Sequence, residues 1–336
     1  MGLPRRFLNL IMEGLNPGAK MLRCIDLDRH KFFNTRKPAQ AATSAAAATA
    51  SKKIPMIHLP RPSVKFRAGA TDYSWAMSCF PLAGRTVLCA DQCGRAFLFD
   101  LDTRMMGTLP DLHRPKSPSS AFCVFVPGAD GGSLYVMEGS GSGTGSHICV
   151  SVDGFGTYSL DTANHVWSQV GDWTLPFQGK VEYVPELKLW FGLSAKDGYL
   201  AAADLSTILS TVDSQPQLVG PWKELVEPPR HWRDVQRPQL VHLGCGRFCI
   251  ARSFHIWMPT EGYSYDPLTG CYFTVLTGAD VVPCVRDGNG GSADANCSNG
   301  SGSANGGNVQ VELEMIRHES RLHMSYGRDG TIMGVF

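Results

Sequence analysis

The chain has 336 residues, 43% of them hydrophobic and 18% charged, so material for a sizeable core is present. A net charge of +1 gives no global attraction to nucleic acid or to an acidic membrane surface, and neither is expected as a partner. The 36 glycines and 21 prolines point to many turns rather than long helices.

No apolar run reaches the length of a transmembrane helix. The N-terminus, MGLPRRFLNLIMEGLNPGAK, has neither a long apolar centre nor a small-residue cleavage site, so no secretory signal is expected. A cytoplasmic or nuclear location follows. Two arginines ahead of Glu13 keep a mitochondrial presequence as a minor alternative, against which Phe7, Leu8, Leu10 and Ile11 read as an ordinary strand or helix of the fold. The 11 cysteines are an odd number, and Cys89 (TVLCAD), Cys149 (HICVSV) and Cys249 (RFCIAR) sit inside apolar runs. They read as buried free thiols in a reducing compartment, not as a disulfide framework.

In chain order, MLRCIDLDRHKFF (21–33) carries a short strand into Asp26. Residues 38–53, PAQAATSAAAATASKK, hold no large apolar side chain and read as a flexible insertion. GRAFLFDLDTRMM (94–106) closes a strand at Asp100, GFGTYSLDTANHVW (154–167) at Asp161, KDGYLAAADLSTIL (196–209) at Asp204 and TEGYSYDPLTGCYF (260–273) at Asp266. Apolar partner strands precede these four: TVLCADQ, HICVSVD, LKLWFGLSA and GRFCIARSF. Successive aspartates are 74, 61, 43 and 62 residues apart, the first interval containing the Ala-rich insertion. Such periods, with several strands in each, mark a β-propeller. A carboxylate at the end of a strand can accept backbone N–H groups from the turn that follows. Asp26, Asp100, Asp161, Asp204 and Asp266 therefore read as structural turn residues of the repeat and not as catalytic groups. Residues 286–308 are Gly-, Ser- and Asn-rich and form a second flexible insertion. SGSGTGS (140–146) reads as linker.

The expected fold is all-β: a kelch-like β-propeller in one domain over residues 1–336, with an incomplete or irregular blade. LHMSYG and TIMGVF are expected beside RFLNLIM, closing the ring and removing exposed sheet edges. Trp167, Trp173, Phe177, Tyr183, Trp190 and Phe191 are expected mostly as core between blades.

Long stretches of the chain resemble a family. RRFLNLIMEGLNPGAKMLRCIDLDRHKFF, LCADQCGRAFLFDLDTR (88–104), LPDLHRPKSPS (109–119), LYVMEG (134–139) and above all GFGTYSLDTANHVWSQVGDWTLPFQGKVEYVPELKLWFGLSA (154–195) resemble domain-of-unknown-function family 1668. The resemblance implies a plant protein of a grass-expanded family with a kelch-like fold, and implies no activity, cofactor or catalytic residue. Between LYVMEG and HICVSVDGFGTYSLD the resemblance implies a further strand-bearing stretch, where this chain has only SGSGTGS. Part of a blade is expected to be missing.

No arrangement of side chains here announces a reaction. Cys89/Cys93 and Cys245/Cys249 are ~150 residues apart and lack the close spacing of zinc ligands. The histidines show no metal-binding helical spacing, and His318 and His323 read as exposed edge positions. Cys271 beside Tyr272 lacks the histidine pair that a radical-copper oxidase would need. There is no nucleophile elbow, P-loop or dinucleotide fingerprint. Neither cofactor nor metal is expected.

PWKELVEPPRHWRDVQRP (221–238) differs from the rest. It mixes Trp222 and Trp232 with Arg230, His231, Arg233 and Arg237 between prolines, the composition of a binding loop. The competing explanation is a loop pinned to the propeller by its two tryptophans. The function expected is a non-enzymatic protein-interaction module, monomeric, with a protein partner. About twenty residues precede the first repeat, too few for a helical F-box. The alternatives are an enzyme acting on a sugar or small molecule in the central cavity, or a degenerate, non-functional copy.

Overall fold

The computed structural model describes residues 4–14, 18–33, 54–67, 76–82, 85–114, 116, 121–126, 133–138, 140–144, 147–206, 215–225, 229, 231–259, 268–286, 310–326 and 330–336. Arg230, Asp266 and both expected insertions, apart from Arg286, lie outside the described residues.

The strands in chain order are β1 (Phe7–Glu13), β2 (Lys20–Asp26), β3 (Val64–Phe66), β4 (Met77–Pro81), β5 (Thr86–Asp91), β6 (Ala96–Asp100), β7 (Met106–Thr108), β8 (Ala121–Val126), β9 (Ser133–Glu138), β10 (Ser140–Thr144), β11 (His147–Val152) and β12 (Gly156–Asp161). They continue as β13 (Val166–Gly171), β14 (Phe177–Val184), β15 (Leu189–Ser194), β16 (Leu200–Ala203), β17 (Leu218–Trp222), β18 (Arg233–Asp234), β19 (Gln239–Gly244), β20 (Arg247–Pro259), β21 (Leu268–Arg286), β22 (Gln310–Tyr326) and β23 (Ile332–Val335). No helix occurs among the described residues. Five sheets result among the described residues, arranged as a β-propeller. Their orders are β23-β1-β2-β3, β4-β5-β6-β7, β8-β9, an eight-stranded sheet, and β18-β20-β21-β22 with β19 also on β20. The eight-stranded sheet is two antiparallel quartets, β10–β13 and β14–β17, joined edge to edge by a parallel bridge between Gly141 and Lys180.

The innermost strands β23, β4, β8, β10, β14 and β19 contact one another in that cyclic order, so the ring is closed. Strand alternation explains how each blade serves two neighbours. In β1, Leu8, Leu10 and Met12 pack with Val241, Cys249 and Leu276 on one side, while Ile11 packs with Cys79, Val87 and Phe99 on the other. Further clusters fill the remaining spaces around the ring, such as Phe191 with Phe248 and Ile250, and Phe177 with Cys149 and Trp190. Burying a Leu, Ile or Phe side chain of this kind stabilises by roughly 1.5–3 kcal/mol.

Ring closure is made by TIMGVF: β23 pairs antiparallel with β1, Leu10 opposite Val335 and Ile11 opposite Gly334. Asn9 and Phe336 exchange backbone hydrogen bonds of 2.8 and 3.0 Å. LHMSYG does not join this pair. It lies in β22 and pairs with β21, because the β21–β22 ladder from Cys271–Tyr326 to Arg286–Gln310 already uses that strand. His318 and His323 on β22 are not exposed edge residues either. His318 keeps 7% of its side-chain surface and lies 3.0 Å from Asp280, and half-buried His323 places Nε2 2.9 Å from the Gly330 carbonyl. The outer edge of β22 is covered by residues 55–57, stitched on through hydrogen bonds between Leu322 and both Pro55 and Ile57.

Four of the five aspartates cap the turn after the third strand of a blade. Asp26 Oδ1 accepts the N–H groups of Asp28 and Arg29, Asp100 those of Asp102 and Thr103, Asp161 those of Ala163 and Asn164, and Asp204 that of Ser206. The glycine turns lie at the other end of these strands. At Gly94 (φ +89°) a Cβ would stand 2.6 Å from the Leu112 carbonyl oxygen, so only glycine fits there. Asp26 also takes a two-pronged hydrogen bond from Arg6, which with the turn N–H groups holds its carboxyl at about 2. An unfolded aspartate titrates near ~3.9. The depressed value contributes stability that is fully present above pH ~4 and is lost as pH falls from about 4 towards about 2. A carboxyl NMR titration is expected to place the Asp26 midpoint near 2, rising towards the ordinary value in Arg6→Ala. A midpoint indifferent to that substitution would count against the arrangement.

SGSGTGS is not a linker. Ser140–Thr144 is an inner strand, paired antiparallel with β11 from Ser140–Ser151 to Thr144–His147. It can be one because a backbone ladder needs no side chain. Among the described residues the preceding blade holds only β8 and β9. The next strand in the chain after β9 is β10, the inner strand of the next quartet. Omitting two antiparallel strands leaves the chain emerging on the same face of the ring, so closure survives the shortening. Trp190, Phe177 and Phe191 are buried as expected. Trp167 and Tyr183 are instead 50% and 41% exposed. Trp167 lies in outer strand β13, on the flank turned towards the short blade.

Candidate functional site

The Trp- and Arg-rich segment 221–238 is the crossover from the outer strand β17 to the inner strands β18 and β19 of the next blade. Its polypeptide is tied down from several sides. The ring of Trp222 stacks on Phe191 at 6.4 Å and 15°. Trp232 is half-buried, stacked on Phe273 at 5.3 Å and 3° and tilted on Phe254 at 5.1 Å. Gln236 donates to Ser253 Oγ and to the Ile332 carbonyl, and Gln239 donates to the Met333 carbonyl and accepts from the Val335 N–H.

Between these anchors lies a buried ion pair that composition could not reveal. Glu224 is fully buried, and its Oε1 accepts from Arg252 Nε at 2.5 Å. Arg252 also donates to the Gly198 carbonyl at 2.6 Å and lies over the Tyr199 ring at 5.7 Å. Glu224 Oε2 is buried without a hydrogen-bond partner among the described residues. In the sequence, Glu224 is one carboxylate in a polar, proline-broken loop, and Arg252 one cation in an apolar strand. Only β15–β16, β17 and β20 together bring them into contact.

The structure thus divides the expected site residues in two. Trp222 and Trp232 are anchors, half-buried against the blades. His231, Arg233 and Arg237 are exposed on the outer surface of the crossover. Arg230 lies outside the described residues. The two sets should respond differently to substitution. Trp232→Ala should cost about 3–5 kcal/mol of stability, as for other packed large aromatics. Arg233→Ala with Arg237→Ala should stay within about 0.5 kcal/mol, as exposed substitutions do. Urea unfolding of the two variants checks this, and equal costs would show that the guanidinium groups are structural.

A cavity of about 480 Å³ lies elsewhere, beside β12 and β13, lined by His147, Ser159, Asp161, Asn164, Val166 and Ser168. It is not in the central channel, where a propeller enzyme was expected to bind its substrate. No group of three or more His, Cys, Asp or Glu side chains able to hold a metal occurs among the described residues. Cys89, Cys249 and Cys79 are buried free thiols, and Cys93 and Cys245 are exposed turn residues. Burial pushes the Cys249 thiol up to about 12, far from a reactive thiolate.

No curated protein matches the chain. Among solved structures, the crystal structure of the N-terminal domain of Nup159 aligns with 98% of this chain and 78% of its own, at 10% identity and a TM-score of 0.23. A likeness at that level carries no argument. The family described as "Protein of unknown function (DUF1668)" matches residues 5–144 and 142–323, nearly the whole chain, and the chain belongs to that family.

Proposed function

We propose that this chain is a non-enzymatic protein-interaction module, a kelch-like propeller acting as a monomer in the cytosol or nucleus, and that His231, Arg233 and Arg237 touch its partner. The observation that carries this reading is the mounting of the crossover. Three exposed cationic or ionisable side chains stand on a backbone held by the Trp232 stack, the Glu224–Arg252 pair and the glutamine contacts. A loop ordered in advance loses little freedom on binding, and a guanidinium offers a planar fork to a carboxylate surface. Proximity labelling of wild type beside an Arg233→Glu/Arg237→Glu variant tests the reading. The expected result is a small set of neighbours lost in the variant at unchanged melting temperature; an unchanged set would sink it. A second reading, a small-molecule site, is favoured by the polar lining of the cavity at His147, Asp161 and Asn164. Thermal-shift screening with neutral sugars addresses it, and a shift abolished by Asn164→Ala would support it.

A further inference from the structure

We propose that the short blade β8–β9 is a strand acceptor, and that its occupant is an extended, apolar-rich segment of another protein which adds to the free edge of β9. Four observations converge on this slot.

Among the described residues, β9 pairs only with β8, from Ala121–Glu138 to Val126–Ser133. Its other edge therefore presents unpaired backbone N–H and C=O groups, a template for a further strand. The side chains of β9 are already arranged as those of a middle strand. Leu134 and Val136 pack towards β4–β7, and Tyr135 and Met137 towards β11–β13.

The wall on one side of the slot beyond β9 is apolar and partly uncovered. On the β11–β13 flank, Leu160 belongs to the cluster shared with β8 and β9. Trp167 stands opposite Leu160 in the register, on the same flank. Trp167 is 50% exposed, and Val152, which shares the flank with Ile148 and Val150, is 38% exposed. These are the residues that a third strand on β9 would cover.

The family match breaks at this place. Its two stretches meet at residues 142–144, in β10, immediately after the short blade. The neighbouring blades keep their third and fourth strands, so the β9 edge is recessed between them by two strand spacings, about 10 Å.

That recess decides the occupant. A second copy would have to bring its own flanking blades against β7 and β13 before its β9 could reach this edge, so an edge-to-edge dimer does not fit. Nor do the two longest stretches outside the described residues offer a candidate: residues 34–53 hold no large apolar side chain, and 287–309 hold only Val309. A bare extended segment of about four to six residues matches the usual strand length and the width of the slot. The third strands of the complete blades, such as Ala96–Asp100 and Lys20–Asp26, show the apolar-rich composition that such a segment would have.

Hydrogen exchange of the full chain, with and without a synthetic peptide of residues 94–104, tests the proposal. This peptide is the third strand of the neighbouring blade with its turn, and it serves as the probe. In the free protein, alternate amides of β9 should exchange as exposed groups. With about millimolar peptide they should slow by about tenfold or more. A peptide methylated on its backbone nitrogens should have no such effect, and Trp167→Ser should weaken binding by about tenfold. The Arg233→Glu/Arg237→Glu variant should bind the probe as wild type does, which separates this site from the crossover. Slow exchange of every β9 amide in the free protein, a dimer in sedimentation that protects β9, or an unprotected β9 at millimolar probe would each overturn the proposal.

Discussion

Replacing Arg252 with methionine should lower the unfolding free energy by about 3–5 kcal/mol, the usual cost of breaking a buried pair and stranding one partner. Glu224 keeps 1% of its side-chain surface and Arg252 13%. Without Arg252, Glu224 Oε1 loses its donor, and Oε2 already has none among the described residues. The carboxylate would then be buried without compensation, and the Gly198 carbonyl would lose its 2.6 Å contact. The Glu224→Met/Arg252→Met double variant should recover most of the loss, because two apolar side chains remove the stranded charge. About 1 kcal/mol should remain for the Gly198 hydrogen bond. Urea unfolding of the wild type, the single variant and the double variant measures all three. A single variant within about 1 kcal/mol of wild type would mean that water reaches the pair. The pair also joins the turn at Gly198 to the crossover, so the single variant should loosen the mount of Arg233 and Arg237 as well as the fold.

Removal of residues 332–336 should abolish the folded ring. Ile332, Val335 and Phe336 are all nearly fully buried and belong to the two clusters on either side of β1. A single large-to-small change at such a site costs about 3–5 kcal/mol for Phe and 2–5 for Ile. The sum for the segment reaches the ~5–15 kcal/mol that stabilises a whole domain. Loss of β23 would also leave β1 with an open inner edge, since Leu10, Ile11 and Met12 lose their partners. The expected result is loss of the cooperative thermal transition together with aggregation. Phe336→Ala alone should remain folded with a lowered melting temperature. A truncated protein that melts cooperatively near the wild-type temperature would show that the ring does not depend on this closure. For the chain with residues 332–336 in place, the continuous circuit of inner strands predicts one cooperative transition in spite of the short blade.

The chain determined by itself whatever local chemistry decides. TVLCAD is legible as a strand because its side chains are apolar on both flanks, and GTYSLD because apolar Tyr158 and Leu160 alternate with Thr157 and Ser159. The turns are legible because Asp26, Asp100, Asp161 and Asp204 bond to backbone two or three residues away, and because Gly94 occupies a conformation closed to other residues. Closure by TIMGVF was readable as an apolar strand needing an edge. The missing part of a blade was implied by the family resemblance, which places a further strand-bearing stretch where this chain has only SGSGTGS. What that segment becomes was not, since a strand held by its backbone alone leaves no mark in side-chain pattern; only pairing with His147–Val152 makes it one. The same limit applies to Glu224 and Arg252, which are 28 residues apart in the chain and meet only where the crossover lies against β20. It applies also to Trp167, which has the composition of core but stands uncovered because, among the described residues, the neighbouring blade holds no third or fourth strand to bury it. Exposure, ion pairing and open edges are properties of what lies opposite a residue, and in a ring of blades what lies opposite is set by closure of the whole.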